Sequence, residues 1–130
     1  MMISWYDTFS DYRNFANRLL ADLKITVQGH GPGHKLLSVI LSTTLMEKLG
    51  WQTNDRIDVL FDPETRRGIV RRQEVGWKLR RNGKTMATRV ASMMLRPEMG
   101  LTRETAGVCR VTRIEGDDVH FSLPPVELMI

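Results

Sequence analysis

The spacing of apolar positions changes along the chain, and each change marks an element. Over residues 5–23, Trp5, Phe9, Tyr12, Phe15, Leu19 and Leu23 recur three and four apart, the period of an amphipathic helix. Asp11, Arg13, Asn14, Asn17 and Arg18 occupy the other positions, and Ser4 stands where an N-cap would, with Asp7 three residues on. This aromatic stripe is expected to pack as core, with the helix lying across a sheet. Residues 24–28 then read as a short strand with Ile25 and Val27 on one face, and Gly29-His30-Gly31-Pro32-Gly33-His34 reads as a loop. From Lys35 the pattern turns β again. Leu37, Val39 and Leu41 alternate with Leu36, Ser38 and Ile40, a run apolar enough to predict burial on both faces.

Ser42 or Thr43 starts a short helix carrying Leu45, Met46 and Leu49, which Gly50 stops. After the polar turn at 52–55, Ile57, Val59 and Phe61 predict a strand over 56–61, and residues 67–72 return as its partner. Next, Val75, Trp77 and Leu79 alternate with Gly76, Lys78 and Arg80 up to Asn82-Gly83, the favoured two-residue hairpin turn. The returning strand alternates Met86, Thr88 and Val90 with Thr85, Ala87 and Arg89. In that register Arg81 faces Lys84 and Leu79 faces Met86. One face of the ribbon then holds Val75, Trp77, Leu79, Met86, Thr88 and Val90, and the other holds Lys78, Arg80 and Arg89. Residues 95–100 predict a short helix entered through Arg96-Pro97. Residues 108–114 and 119–123 predict strands about the turn at 115–118, ended by Pro124-Pro125.

The order strand, short helix, glycine, polar turn, strand, turn, strand thus occurs twice, at an offset of fifty residues. Gly50-Trp51 meets Gly100-Leu101, Val59 meets Cys109, Phe61 meets Val111 and Ile69 meets Val119. In the first copy the pattern is carried by Leu37-Ser38-Val39-Ile40-Leu41, Leu45-Met46-Glu47-Lys48-Leu49-Gly50-Trp51, Asp55-Arg56-Ile57-Asp58-Val59-Leu60-Phe61 and Gly68-Ile69-Val70. There it resembles the AbrB/MazE-type (SpoVT-AbrB) swapped-hairpin domain. The resemblance covers about 35–72, and less closely about 85–123. Two departures stand out: Ser42-Thr43-Thr44 where the family usually has a proline, and Asn54 where it commonly has glycine.

The resemblance implies two interlocked copies forming a small barrel, usually from two chains. Here it would close within a monomer carrying an internal pseudo-repeat, or in a homodimer. It also implies DNA binding through basic residues, as in transcription regulators and antitoxins. The expected fold is therefore mainly β (α+β): a small β-barrel of two tandem swapped-hairpin-like repeats with the N-terminal amphipathic helix packed on it. Residues 1–130 are expected to be one domain. Residues 1–34 hold the helix, strand and glycine-rich loop, 35–72 the first β repeat, and 75–123 the basic hairpin and second repeat.

Charge sharpens the functional reading. The chain of 130 residues has a formal net charge of +4, and the charge is unevenly placed. Nine Lys/Arg lie between Arg66 and Arg89 (Arg66, Arg67, Arg71, Arg72, Lys78, Arg80, Arg81, Lys84 and Arg89) against one acid, Glu74. That stretch carries +8 and the remainder −4. Such a patch can contact phosphates; it can equally be a solvated sheet edge that resists aggregation.

Hydrophobic residues make up 42% and charged residues 26%, the composition of a globular chain. No apolar run reaches the ~20 residues of a membrane helix. The first residues lack the basic start and apolar stretch of a signal peptide, and Cys109 is the single cysteine, so a reducing cytoplasm is expected.

Catalytic signatures are missing. The chain has no Walker A loop, dinucleotide fingerprint, HExxH or G-x-S-x-G. His30 and His34 fall short of the three or four ligands a zinc site needs, with His120 remote in sequence. Cys109 reads as a small core residue. Asp58, Asp62 and Glu64 form a conceivable carboxylate cluster that an exposed strand and turn explain as well. No cofactor and no enzymatic activity are expected. The expected function is nucleic-acid binding, to DNA in the first place, by a regulator or antitoxin-like protein whose basic hairpin contacts phosphates or bases. The alternative is a small protein-binding module or inhibitor of a larger complex, its basic patch meeting an acidic protein surface.

Overall fold

The computed structural model describes residues 22–29, 35–83 and 85–124, with backbone alone at Thr85 and Met86. The helix expected over 5–23, the loop histidines His30 and His34, and Lys84 lie outside the described residues, except that Leu23 opens a strand. Among the described residues the chain forms nine strands and one α-helix. They are β1 (Leu23–Gly29), β2 (Lys35–Ser42), α1 (Thr43–Leu49), β3 (Arg56–Asp62), β4 (Arg67–Arg72), β5 (Trp77–Lys78), β6 (Arg80–Asn82), β7 (Thr85–Met94), β8 (Arg110–Glu115) and β9 (Asp118–Ser122). A single 3-10 turn, Pro97–Met99, stands where a short helix was expected. None of the described helices is long and apolar enough to cross a membrane.

The strands build two antiparallel sheets, β1-β2-β7-β6 and β5-β3-β4-β9-β8. Each has one apolar face, as strict alternation requires. In the first, Ile25, Val39 and Ala91 lie side by side, flanked by Leu37 with Met93. In the second, Val59, Val70 and Val119 form one row, and Phe61, Gly68 and Phe121 the next. The aliphatic residues, Ala91, Met93 and Phe121 join one core cluster, against which Phe61 packs and to which α1 and the residue after its cap add Leu45, Met46 and Trp51. The Ser42 side chain caps α1 by accepting the Leu45 amide (2.9 Å), and Gly50 closes it at φ 72°, as the sequence predicted.

Two expectations need correction. The first is the barrel: the ladders do not run continuously round the molecule. On one side, β1 meets residues 107–109 through an isolated bridge, Lys24 with Val108. Hydrogen bonds from Ile25 N to Gly107 O and from Cys109 N to Leu23 O flank it. On the other side, β5 and β6 belong to different sheets and one residue, Leu79, separates them.

The second correction is the hairpin. Thr85, expected opposite Arg80, pairs instead with Asn82, two residues on, and Arg81 pairs with Arg89 across an irregularity. Alternation holds for an unbroken strand, but here the ribbon breaks at Leu79. Leu79 is fully buried, its N–H bonded to Asp55 O (2.9 Å) and its carbonyl to Asn54 N (2.7 Å). The apolar face expected for the ribbon dissolves with it: Val75 is 80% exposed and Trp77 46%.

Gly50 and Gly100 both take positive φ (72° and 64°), and Trp51 and Leu101 behind them are both buried. The second hairpin turns tightly at Gly116, however, and carries an irregularity in β8. The offset of fifty does not hold throughout: Val119 is fully buried, whereas Ile69, fifty residues before it, is half-buried and its neighbour Val70 is the fully buried one.

Candidate nucleic-acid interface

The nine basic residues picked from the sequence do not form one patch. Arg71 makes a two-point contact with Asp118, Nε to Oδ1 at 2.7 Å and Nη2 to Oδ2 at 3.0 Å. Arg72 bridges Asp117 (3.0 Å) and Asp55 (3.4 Å). Arg66 donates to two carbonyls, Thr105 O (2.6 Å) and Pro124 O (2.7 Å). These bonds hold it at φ 56°, a left-handed conformation costly for a non-glycine residue. Arg89 reaches Thr53 Oγ1 (2.9 Å) and Thr88 O (2.9 Å). Arg67 sits on β4 beside a separate depression near Asp62 and His120. All of these are accounted for by intramolecular structure or lie apart from the remaining cations.

Lys78, Arg80 and Arg81 do converge, and they are joined by Arg56. Together with Trp77, Val90 and Ser92 they line a cleft of about 640 Å³ at the junction where the chain leaves one sheet for the other. No carboxylate lines it among the described residues, and no salt bridge among them engages Lys78, Arg80 or Arg81. The loop after β4 crosses the end of β3, with Gln73 N bonded to Arg56 O (3.0 Å). β5 can then pair with the far edge of β3, setting Arg56 opposite Lys78 and Ile57 opposite Trp77. Gly76 makes the approach close: a side-chain carbon there would overlap the Ile57 carbonyl. Its own carbonyl accepts a bond from Arg56 Nη1 (2.9 Å).

Like charges directly across a strand pair are destabilising, and one such pair, Arg56–Lys78, lines this cleft; an anion there would relieve it. Sequence reasoning missed Arg56 because nothing local signals that β5 pairs with β3. It placed Trp77 on the apolar face of one continuous ribbon because alternation alone cannot reveal a two-residue edge strand.

The other candidate chemistry is absorbed locally. Asp58 accepts the Val59 amide (2.8 Å) and Asp62 the Glu64 amide (2.9 Å), so these carboxylates cap backbone. Among the described residues, no group of three or more His, Cys, Asp or Glu side chains could hold a metal ion. Cys109 is buried, and desolvation pushes its thiol up to about 12, which keeps it protonated and unreactive in the folded chain.

Hydrogen bonds from Arg71 hold the Asp118 carboxyl below the ordinary carboxylate range. A depressed folded pKa adds stability that is complete above the unfolded value of about 3.9 and is lost as pH falls through the folded value. Asp118→Asn is therefore expected to unfold at lower urea than the native chain at pH 7. The two midpoints should converge as the pH is taken below 4, and a gap that persists in acid would rule out this account of the pair.

No family model, curated protein or solved structure matches the chain.

Proposed function

We propose that the protein is a nucleic-acid-binding regulator that engages the phosphate backbone through the cleft at the sheet junction. The observation that carries the reading is the lining of that cleft: Arg56, Lys78, Arg80 and Arg81 without a carboxylate among the described residues, and an exposed indole on the wall. Cationic grooves with accessible aromatics are what phosphate-tracking proteins present. On this reading, 35–72 and 85–123 are tandem swapped-hairpin-like copies in one chain. The recurring Gly50-Trp51 and Gly100-Leu101 and the pairing of β2 with β7 and β4 with β9 support that.

Binding to random-sequence DNA and RNA across a salt series tests the proposal. Micromolar or tighter affinity at low salt is expected. With up to four phosphates neutralised, log affinity should fall against log salt with a slope of about −3 to −4. The double variant Arg80→Glu, Arg81→Glu should abolish binding. Absence of binding to every nucleic acid at low salt sinks the proposal.

A second reading, a protein-binding module, draws on one observation. A groove of about 630 Å³ runs along β3 past the end of β5, lined by Leu60, Phe61, Trp77, Met93, Met94 and Met99 among others. Methionine-rich surfaces suit adaptable protein contacts.

A further inference from the structure

We infer that the cleft takes single-stranded nucleic acid, one base lying against the Trp77 indole and the neighbouring phosphates drawn to Arg56, Lys78, Arg80 and Arg81. This rests on the nucleic-acid reading above and specifies the form of the ligand.

Shape argues first. Reading a duplex with a β-ribbon requires strands that project into a major groove about 12 Å wide. Here β6 is the edge of a sheet, with Arg80 beside Val90 and Arg81 beside Arg89, and its cations line a concavity with Lys78 and Arg56. The cleft, about 640 Å³, falls in the size range of small-ligand sites, roughly 300–1,000 Å³. That suits a nucleotide or two splayed from a strand, and a duplex keeps its bases stacked away from such a recess.

Trp77 supplies the second argument. A tryptophan is among the side chains that gain most from burial, yet this one is 46% exposed. Its position is fixed by pairing with Ile57 and by Gly76, pressed on the Ile57 backbone and bonded to Arg56. A half-exposed indole held on a hydrogen-bonded strand, in the lining of a cleft that four cations share, is a stacking platform. Every base has a π-face, so the platform discriminates little between sequences. A duplex offers the cations their phosphates but offers Trp77 no base.

The test is fluorescence anisotropy with labelled 12-mers: single-stranded DNA, single-stranded RNA of the same sequence, and the DNA duplex. The proteins are the native chain, Trp77→Leu and Trp77→Phe, each checked for native β-sheet content by circular dichroism. Single strands are expected to bind at least about tenfold tighter than the duplex. Trp77→Leu should weaken them about tenfold or more, the loss that removing one stacked base brings, and Trp77→Phe should retain most of the affinity. The DNA and RNA arms report whether the 2′-hydroxyl contributes; comparable affinities agree with stacking-led binding. Duplex bound as tightly as single strands, or Trp77→Leu binding as well as native, overturns the inference and leaves the proposed function standing. Failure of every probe to bind at low salt overturns both.

Discussion

Leu79→Ala is expected to cost the fold about 2–5 kcal/mol, the range for truncating a buried leucine, and to disable the cleft with it. Leu79 is 0% exposed and joins β5 in one sheet to β6 in the other. Its side chain is part of the common core, while its N–H and carbonyl are bonded to the turn at Asn54 and Asp55. Shortening it leaves a cavity beneath the point where Lys78 and Arg80 diverge to the cleft walls. Urea unfolding followed by circular dichroism measures the first effect. Nucleic-acid binding at a temperature where the variant is still folded measures the second. Leu79→Met, which conserves volume, should lose less than about 1.5 kcal/mol and keep binding. An alanine variant as stable as the native chain would show that the crossing is not fixed by this side chain.

Gly68→Ala is the second large effect. Gly68 lies in β4 between Phe61 of β3 and Phe121 of β9. The two rings stack at 6.2 Å between centroids, with 12° between their planes. A side-chain carbon at Gly68 would overlap the Leu60 carbonyl oxygen and penetrate the Phe121 ring edge. Neither neighbour can yield cheaply: one is backbone in a paired strand, the other a nearly fully buried aromatic. Overpacking of this kind costs about 1–3 kcal/mol. Replacing glycine in a strand recovers roughly 0.5–1 kcal/mol of backbone entropy, so a net loss of about 1–2 kcal/mol is expected. Gly29→Ala is the control, because a side-chain carbon at the end of β1 meets nothing within 4 Å. If both alanine variants unfold at the same urea concentration, the packing over Gly68 is not what the geometry indicates.

What the sequence made legible was local. The Leu36–Leu41 alternation, the Ser42 and Gly50 caps and the β3–β4 hairpin each sit within a few residues of the signal that announces them. Asn54, where the resembling family has glycine, takes φ 78°, a conformation asparagine tolerates better than most residues. What stayed hidden was pairing at a distance. The basic hairpin was read as one ribbon because residues 75–81 keep a period of two. A strand that changes sheets at Leu79 keeps the same period, so pattern alone could not separate the cases. Counting positive charge in a stretch could not tell Arg71 and Arg72, which meet aspartates 47 and 45 residues later in the chain, from Arg80 and Arg81, which line the cleft. Nor could it enlist Arg56, brought in by a strand pair with Lys78.

Each sheet is also completed by strands that come about fifty residues later in the chain: β2 needs β7, and β4 needs β9. During synthesis, a nascent chain that has emerged only as far as β4 therefore carries two apolar strands, each paired on one side, with β1 and with β3, and open on the other. Folding of such long-range pairings is slow, and the ribosome delivers the missing strands only seconds later. In that interval a neighbouring nascent chain on the same message offers the same strands. The topology thus makes this protein a candidate for exchanging halves between two copies, and the ratio of monomer to exchanged dimer should rise when translation is diluted or refolding is carried out at low concentration.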